Sequence, residues 1–326
     1  MITPDYYEKF RCIGGLCRHN CCKGGWDIEV DDEAFERFCK IGGAFGEKVK
    51  NSIDEDRIFK RTGGGCPLLN DDGLCEMVIN GHELCVICDE YPRFTEYYDD
   101  YAERGISLSC EEAARVILDH CNTVLLQGKS GECDEDIFCL LLKARRSIFD
   151  ILQNRNMDIL KRLRLMLDYG AALQERINEN DFGEFSYIPS DKPKERTDCS
   201  ALLEVLSGLD ILNDEWKDIL ETAYESEQNS KPHFMKDIKG EQLAVYFVYR
   251  YFLKAVFDCD ALSKLKLAAV CVLAINSVYK STGDLYESAR MFSIEVEHDE
   301  DNIDALYDEF LFNDELSYEN IIKMLA

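Results

Sequence analysis

At 326 residues, with 46% apolar and 11% aromatic side chains, the chain can build one large core or two ordinary ones. This excludes a disordered chain and a miniature domain held by disulfides. Sixty-four acidic residues against 37 basic ones leave a net charge of −27, which argues against nucleic-acid and anionic-membrane partners, since both need a basic footprint. An acid excess serves solubility first, and it also steers toward a basic partner such as a lysine-bearing protein surface.

The first residues, Met1 to Glu8, lack the basic segment and apolar run of a secretory signal. The longest apolar run, Leu267 to Ile275, has nine residues and is expected as a buried helix, because a membrane span needs about 20. The expected location is cytoplasmic. In that compartment the 16 cysteines stay reduced, and a cysteine cluster means metal or redox chemistry more often than cystine.

Residues 1–110 read as loop-rich, punctuated by Gly14-Gly15, Gly24-Gly25, Gly42-Gly43 and Gly63-Gly64-Gly65, with a strand-like piece from Trp26 to Val30. Asp31-Asp32-Glu33 before Ala34, Phe35 and Phe38 predicts a short capped helix. This region holds nine closely spaced thiols: Cys12, Cys17, Cys21, Cys22, Cys66, Cys75, Cys85, Cys88 and Cys110. Cys85 and Cys88 have the two-residue spacing that lets both sulfurs face one metal. Glycine-rich backbone around Cys17, Cys21 and Cys22 can turn N–H groups toward sulfur. Four thiolates suit zinc or a [4Fe–4S] cluster, and two sites would use eight. His19 and His82 are spare ligands in the same region. The other cysteines (Cys39, Cys121, Cys133, Cys139, Cys199, Cys259 and Cys271) are expected as buried apolar residues.

Other chemistries find less support. Cys22 directly follows Cys21, so the C-x3-C-x2-C of radical S-adenosylmethionine enzymes fails at its last spacing. No strand–G-x-G-x-x-G–helix unit is present. Pro92 ends any helix after Cys88, and Arg93 can pair with a cluster's charge or with a carboxylate. Trp26 suits either core packing or a cover over the cluster.

From Ser109 the pattern takes on helix period. Helices are predicted over Glu111–Gln127 (stripe Ala114, Ile117, Leu118, Cys121), Asp134–Asn154 and Asp158–Asn178. The polar stretch Asn180–Asp198, with Pro189 and Pro193, is the linker candidate. Further helices are predicted at Ala201–Leu209, Asp214–Gln228, Glu241–Asp258, Ala261–Lys280 and Asp299–Phe312. Tyr246, Tyr249, Arg250 and Tyr251 read as core with a snorkelling arginine. Glu297-His298 is a candidate acid/base pair set against a plain capping or surface role. The fold class is mainly α: a cysteine-rich, irregular part over 1–110, a helical region packed on it over 111–190, and a C-terminal helical region over 191–326.

The motifs together resemble a known family. Cys12-x4-Cys17-x3-Cys21-Cys22-Lys23-Gly24 before Trp26, Cys66-Pro67-Leu68-Leu69-Asn70-x3-Leu74-Cys75, Leu84-Cys85-x2-Cys88-x2-Tyr91-Pro92-Arg93 and Ser107-Leu108-Ser109-Cys110-x-Glu112-Ala113-Ala114-Arg115 are similar to the flagellin lysine-N-methylases, a group of cysteine-cluster proteins thought to chelate zinc or iron. Pro4 to Phe10, Tyr246 to Phe252 and Phe292 to His298 match the same style, and Gly25 adds a glycine before Trp26. The resemblance implies methyl transfer from S-adenosylmethionine to lysine amines of flagellin, with an iron–sulfur cluster or zinc bound by the nine cysteines. The rival readings are a non-catalytic zinc-binding interaction module and an iron–sulfur redox protein.

Overall fold

The computed structural model describes residues 1–24, 26–61, 65–133, 135–191, 195–229 and 234–326. Gly25, Gly63, Gly64, Asp134 and Pro193, on which parts of the sequence reading fall, lie outside them.

The chain is mainly helical, as its periodicity predicts. The cysteine-rich lobe carries four short helices: α1 (Asp32–Cys39), α2 (Gly43–Asn51), α3 (Glu76–Ile79) and α4 (Val86–Glu90). The helical part follows as α5 (Glu111–Leu118), α6 (Asp136–Leu152), α7 (Ile159–Asn178), α8 (Ser200–Ser207), α9 (Asp214–Asn229), α10 (Asp237–Tyr251), α11 (Ala255–Asp258), α12 (Ala261–Thr282), α13 (Leu285–Phe292), α14 (Glu300–Phe312) and α15 (Tyr318–Met324).

Helix α12 is the axis of the bundle. Its residues are apolar on every face, so it can only be stable when surrounded. It packs against α7, α8, α9, α10, α13, α14 and α15. Asp260 caps its start by accepting from the Ser263 N–H. Gly283 ends it in the left-handed region at φ 74°, where a side chain would be strained. Where α7 crosses α12, a Cβ on Gly170 would stand 2.5 Å from Leu265 Cδ1, so only glycine allows the approach. α12 is also the one helix among the described residues long and apolar enough to cross a membrane, and it is buried inside the protein.

Residues 1–110 are more regular than their glycine content suggests. β2 (Arg93–Tyr98) and β3 (Tyr101–Ile106) form a hairpin through Asp99-Asp100, with Asp99 at φ 51°. β1 (Ile2–Pro4) runs parallel to β3, and β4 (Leu126–Gly128) pairs antiparallel to β1, giving the order β2-β3-β1-β4. Tyr98, Ile106 and Leu108 bury this sheet in the same core as the helices. A second, smaller core inside the cysteine-rich lobe gathers Val30, Phe38, Val49, Leu68, Met77 and Cys85.

Several boundaries differ from expectation for identifiable reasons. The predicted strand Trp26–Val30 reduces to one bridge, Glu29 to Ile58. The helix expected to reach Gln127 stops at Leu118, because His120 turns inward against Tyr6, with ring centroids 5.5 Å apart, and leaves Cys121 exposed. The helix read as Glu241–Asp258 ends at Tyr251 and continues as a 3-10 turn, Phe252–Lys254. α13 and α15 were not foreseen. The linker candidate is irregular, and it is tied to α7 where Asp168 accepts from Tyr187 Oη at 2.8 Å and Arg164 pairs with Asp191 at 2.8 Å.

Candidate functional site

The cysteines are delivered by chain ends and turns. Cys21 opens a 3-10 turn whose preceding Asn20 accepts from the Cys22 N–H. Cys75, Cys85 and Cys110 stand at the N-caps of α3, α4 and α5, the partly positive end of each helix. Segments far apart in sequence are fastened together by backbone bonds, such as Cys66 N–H to Cys22 O at 2.8 Å.

Their sulfurs lie close enough to shift one another's protonation. Cys22 responds to Cys66 and Cys75, Cys88 to Cys22 and Cys66, and Cys66 to Cys85 and Cys21. A second group joins at Cys21: Cys110 responds to Cys21 and Cys12, and Cys17 to Cys110. Each of the nine sequence-predicted thiols is thus within electrostatic reach of at least one other. Hydrogen bonds from Cys22 and Cys88 draw Cys21 and Cys85 down to about 7, while the donors themselves move well up. Burial raises Cys66, and lifts Cys110 to about 11. Cys17 rises to about 12 through burial and its bond to Glu111.

The donor set fits a thiophilic ion in its chemistry, since soft thiolates select zinc or iron–sulfur clusters. In geometry, the thiols pair with each other, and among the described residues no three cysteine, histidine, aspartate or glutamate side chains converge on a metal position. The spare histidines are engaged elsewhere: His19 pairs with Glu287 at 3.0 Å, and His82 stacks on Phe45 with centroids 5.6 Å apart. Arg93 lies over the Phe10 ring and donates to the carbonyl of Asp89, the residue after Cys88, at 3.2 Å. Of the cysteines expected in the core, Cys133, Cys199 and Cys271 are buried, whereas Cys39, Cys121, Cys139 and Cys259 are exposed at helix surfaces and ends.

Beside the thiols runs a seam of rings and hydroxyls that the sequence did not disclose. Trp26 packs on His298 with centroids 4.9 Å apart, and Tyr91 lies 6.3 Å from the same ring. Tyr91 Oη bonds Ser109 Oγ at 3.1 Å, Ser109 bonds Ser107 at 2.9 Å, and Ser107 bonds Ser293 at 3.3 Å. Ser293 begins a π-helical turn, Ser293–Glu297, of the kind often found at functional positions. That turn aims Glu297 inward, where its carboxylate accepts from Tyr246 Oη at 3.1 Å and Tyr251 Oη at 3.0 Å and pairs with Arg250 at 3.1 Å. Arg250 also covers the Phe94 ring at 4.3 Å.

The two halves of the Glu297-His298 candidate are thus divided. Glu297 is buried in an ion pair, while His298 caps the end of the π-helical turn, its N–H donating to the Ser293 carbonyl at 3.2 Å. His298 turns to Trp26. Burial against its neighbours and the Arg250 charge pull its pKa down to about 4, although its outer edge faces solvent. The only hint in the sequence was that Tyr246–Phe252 and Phe292–His298 both carried family-like motifs. Their contact with each other was not readable.

No family model matches the chain, and no solved structure matches it. Over 146 residues, 40% of its length, the chain is 27% identical to the lysine-N-methylases of Salmonella typhimurium (strain LT2) and Salmonella choleraesuis (strain SC-B67). It is 26% identical over 147 residues to the flagellar biosynthetic protein FliU of Salmonella muenchen, where the match covers 84% of that protein. The match spans about a third (35%) of the length of the two methylases.

Proposed function

We propose that this relative of the flagellar lysine-N-methylases is itself a protein-lysine N-methyltransferase, acting on flagellin in the cytoplasm with S-adenosylmethionine as methyl donor and a thiolate-bound iron–sulfur cluster. The likeness to lysine-N-methylases carries the reading. Nine thiols, each within electrostatic reach of another, support its cofactor half.

The reaction forms a bond from lysine Nζ to the methyl carbon as the sulfonium S–C bond breaks and the sulfur leaves neutral. Before that, the lysine ammonium must lose a proton to solvent water, because a protonated nitrogen has no lone pair. Tyr91 Oη, bonded onward to Ser109 and Ser107, accepts an N–H bond from the amine and orients it. Trp26, packed on His298, flanks the thiol side of the seam. The Glu297–Arg250 pair, neutral as a unit, fixes Tyr246 and Tyr251 behind it. Four of Cys21, Cys22, Cys66, Cys75, Cys85 and Cys88 would hold the cluster, with Cys12, Cys17 and Cys110 adjoining. When bound, a cluster supplies iron for Lewis-acid or electron-transfer chemistry.

One observation favours a second reading, a non-catalytic zinc module. The cavity against Cys21, Cys22, Cys66 and Trp26 holds only about 10 Å³, and a closed thiolate site is the mark of structural zinc. Anaerobic purification with iron, sulfide and zinc analysis separates the two. Iron with matching sulfide and a visible chromophore supports the enzyme, whereas stoichiometric colourless zinc supports the module. Mass spectrometry of flagellin incubated with the protein and labelled S-adenosylmethionine then tests transfer directly. Flagellin that gains no methyl mass from iron-loaded protein overturns the reading.

A further inference from the structure

We infer that the groove between α8 and α14 docks an amphipathic, lysine-bearing helix of a protein partner. The groove has a volume of about 390 Å³, in the range of built binding sites. Val205, Leu209 and Ala305 give it an apolar floor, and Glu204, Glu309 and Glu315 stand along its walls. Among the described residues no lysine or arginine lines it.

Large apolar side chains are also exposed on the segments that line it. At the end of α14, Leu311 is 64% and Phe312 is 82% exposed, and Leu212, three residues after Leu209, is 59% exposed. Phe312, one helical turn from the lining residue Glu309, is a large apolar side chain left in water on the groove side of α14, of the kind found where a surface is covered by a partner.

The charge of the walls selects the occupant. An apolar floor between carboxylates suits a helix with aliphatic residues on one face and lysines on its flanks. Each lysine lays its methylene stem on apolar surface and carries its ammonium to a glutamate. Glu204 already accepts from Tyr224 Oη at 3.0 Å and Glu309 from Asn313 Nδ2 at 2.6 Å, which steadies both carboxylates while leaving acceptor capacity on each. The net charge of −27 draws a basic partner toward the chain, whereas a polyanion is repelled.

A chain of hydrogen bonds runs from the segment beside the groove to the seam. Asn302 Oδ1 accepts from the Asp210 N–H at 2.9 Å, and Asn302 Nδ2 donates to the Glu295 carbonyl at 2.9 Å, inside the turn that carries Glu297. A substrate held here binds through parts of itself that do not react, and such remote contacts supply affinity without occupying the reacting centre. The inference rests on the methyltransferase reading only for the fate of the docked lysine. Docking itself needs no methyl donor.

The test is a fluorescence anisotropy titration of the full chain, without S-adenosylmethionine. The probe is a labelled amphipathic peptide with leucines on one face and lysines on its flanks, and the control is its lysine-to-glutamate counterpart. The expected result is binding of the lysine peptide alone, weakened about tenfold by the E204K/E309K double variant on the scale of two exposed ion pairs. Filling the floor with Ala305→Trp weakens it as well. Equal affinity for wild type and both variants, or equal binding of the acidic peptide, overturns the inference. Methyl incorporation into flagellin separates the two readings. Weakened docking in the variants with no transfer by the wild type leaves the groove standing and removes the enzyme. Transfer with unchanged KM in E204K/E309K does the reverse.

Discussion

The thiol of Cys17 donates to Glu111 Oε2 at 3.4 Å, and the same oxygen accepts from the backbone N–H groups of Arg18 at 2.8 Å and His19 at 3.1 Å. One carboxylate at the start of α5 thus gathers three consecutive residues of the cysteine loop and fixes the loop to the helical part. Removing it should free the thiol. In Glu111→Gln, Cys17 loses the neighbouring negative charge that, after burial and together with the hydrogen bond, raises its pKa to about 12, so its thiolate fraction at pH 8 rises. Metal-free protein should then show faster alkylation of Cys17 than wild type, read by peptide mass spectrometry. An unchanged rate would mean that the loop does not depend on Glu111. Glu111→Ala should also cost about 1–3 kcal/mol in urea unfolding, the usual penalty for orphaned polar partners.

The thiol neighbourhood predicts a division among the 16 cysteines. Cys21→Ser and Cys88→Ser should lower metal bound per chain, because each removes a thiol from a hydrogen-bonded pair at the centre of the set. Cys139→Ser and Cys259→Ser, both exposed, should leave metal content unchanged. Elemental analysis of the four variants decides it. Loss of metal in the second pair would relocate the site.

Beneath the sheet, Arg145 grips Glu103 through two bonds of 2.5 and 2.6 Å, with both side chains almost wholly buried. Breaking one side strands a charge. Glu103→Leu alone should therefore destabilise by about 3–5 kcal/mol, while Glu103→Leu with Arg145→Met should recover much of that loss. Urea midpoints of the three proteins give the answer, and additive losses would argue against a coupled pair.

His298 gives the interface a pH dependence of definite sign. Its pKa is about 4 when folded against an ordinary 6.5, so the unfolded chain binds the extra proton between those values. Its contribution to stability is complete above pH 6.5 and is lost as the pH falls toward 4. The slope of unfolding free energy against pH over that window should be shallower in His298→Phe than in wild type. Parallel curves would show that the ring titrates normally.

Much of this architecture could be read from residue order. α12 announces itself through the unbroken apolar run Leu267 to Ile275, and α1 because Asp31 stands where a cap must. The cysteine spacings singled out nine thiols, but not how the fold would pair them: Cys21 with Cys22 and Cys85 with Cys88. The sheet was hidden for a physical reason: β1 and β4 are three residues each and lie far apart in the chain, and β3 buries Glu103, whose polarity breaks the alternation of a strand. The seam was hidden for a similar reason. Glu297 reads as a surface acid until Arg250, Tyr246 and Tyr251 arrive from another helix, and Trp26 reads as core until His298 is placed against it.

The π-helical turn at Ser293–Glu297 acts as a phase shifter. It sends Glu295 to the Leu212 N–H at 2.9 Å, ahead of α9, and Glu297 to Arg250 in the interior, two carboxylates two positions apart with opposite destinations. Each residue of an α-helix advances the direction of its side chain by about 100°, so deleting one residue here would wind every later position back by that angle. His298 would leave Trp26, Asn302 would leave Asp210, and α14 would present a different face to α12. Composition and hydrophobicity would barely change. A chain lengthened or shortened by one residue at this turn should still fold its bundle while losing its seam, because what the turn encodes is angular timing.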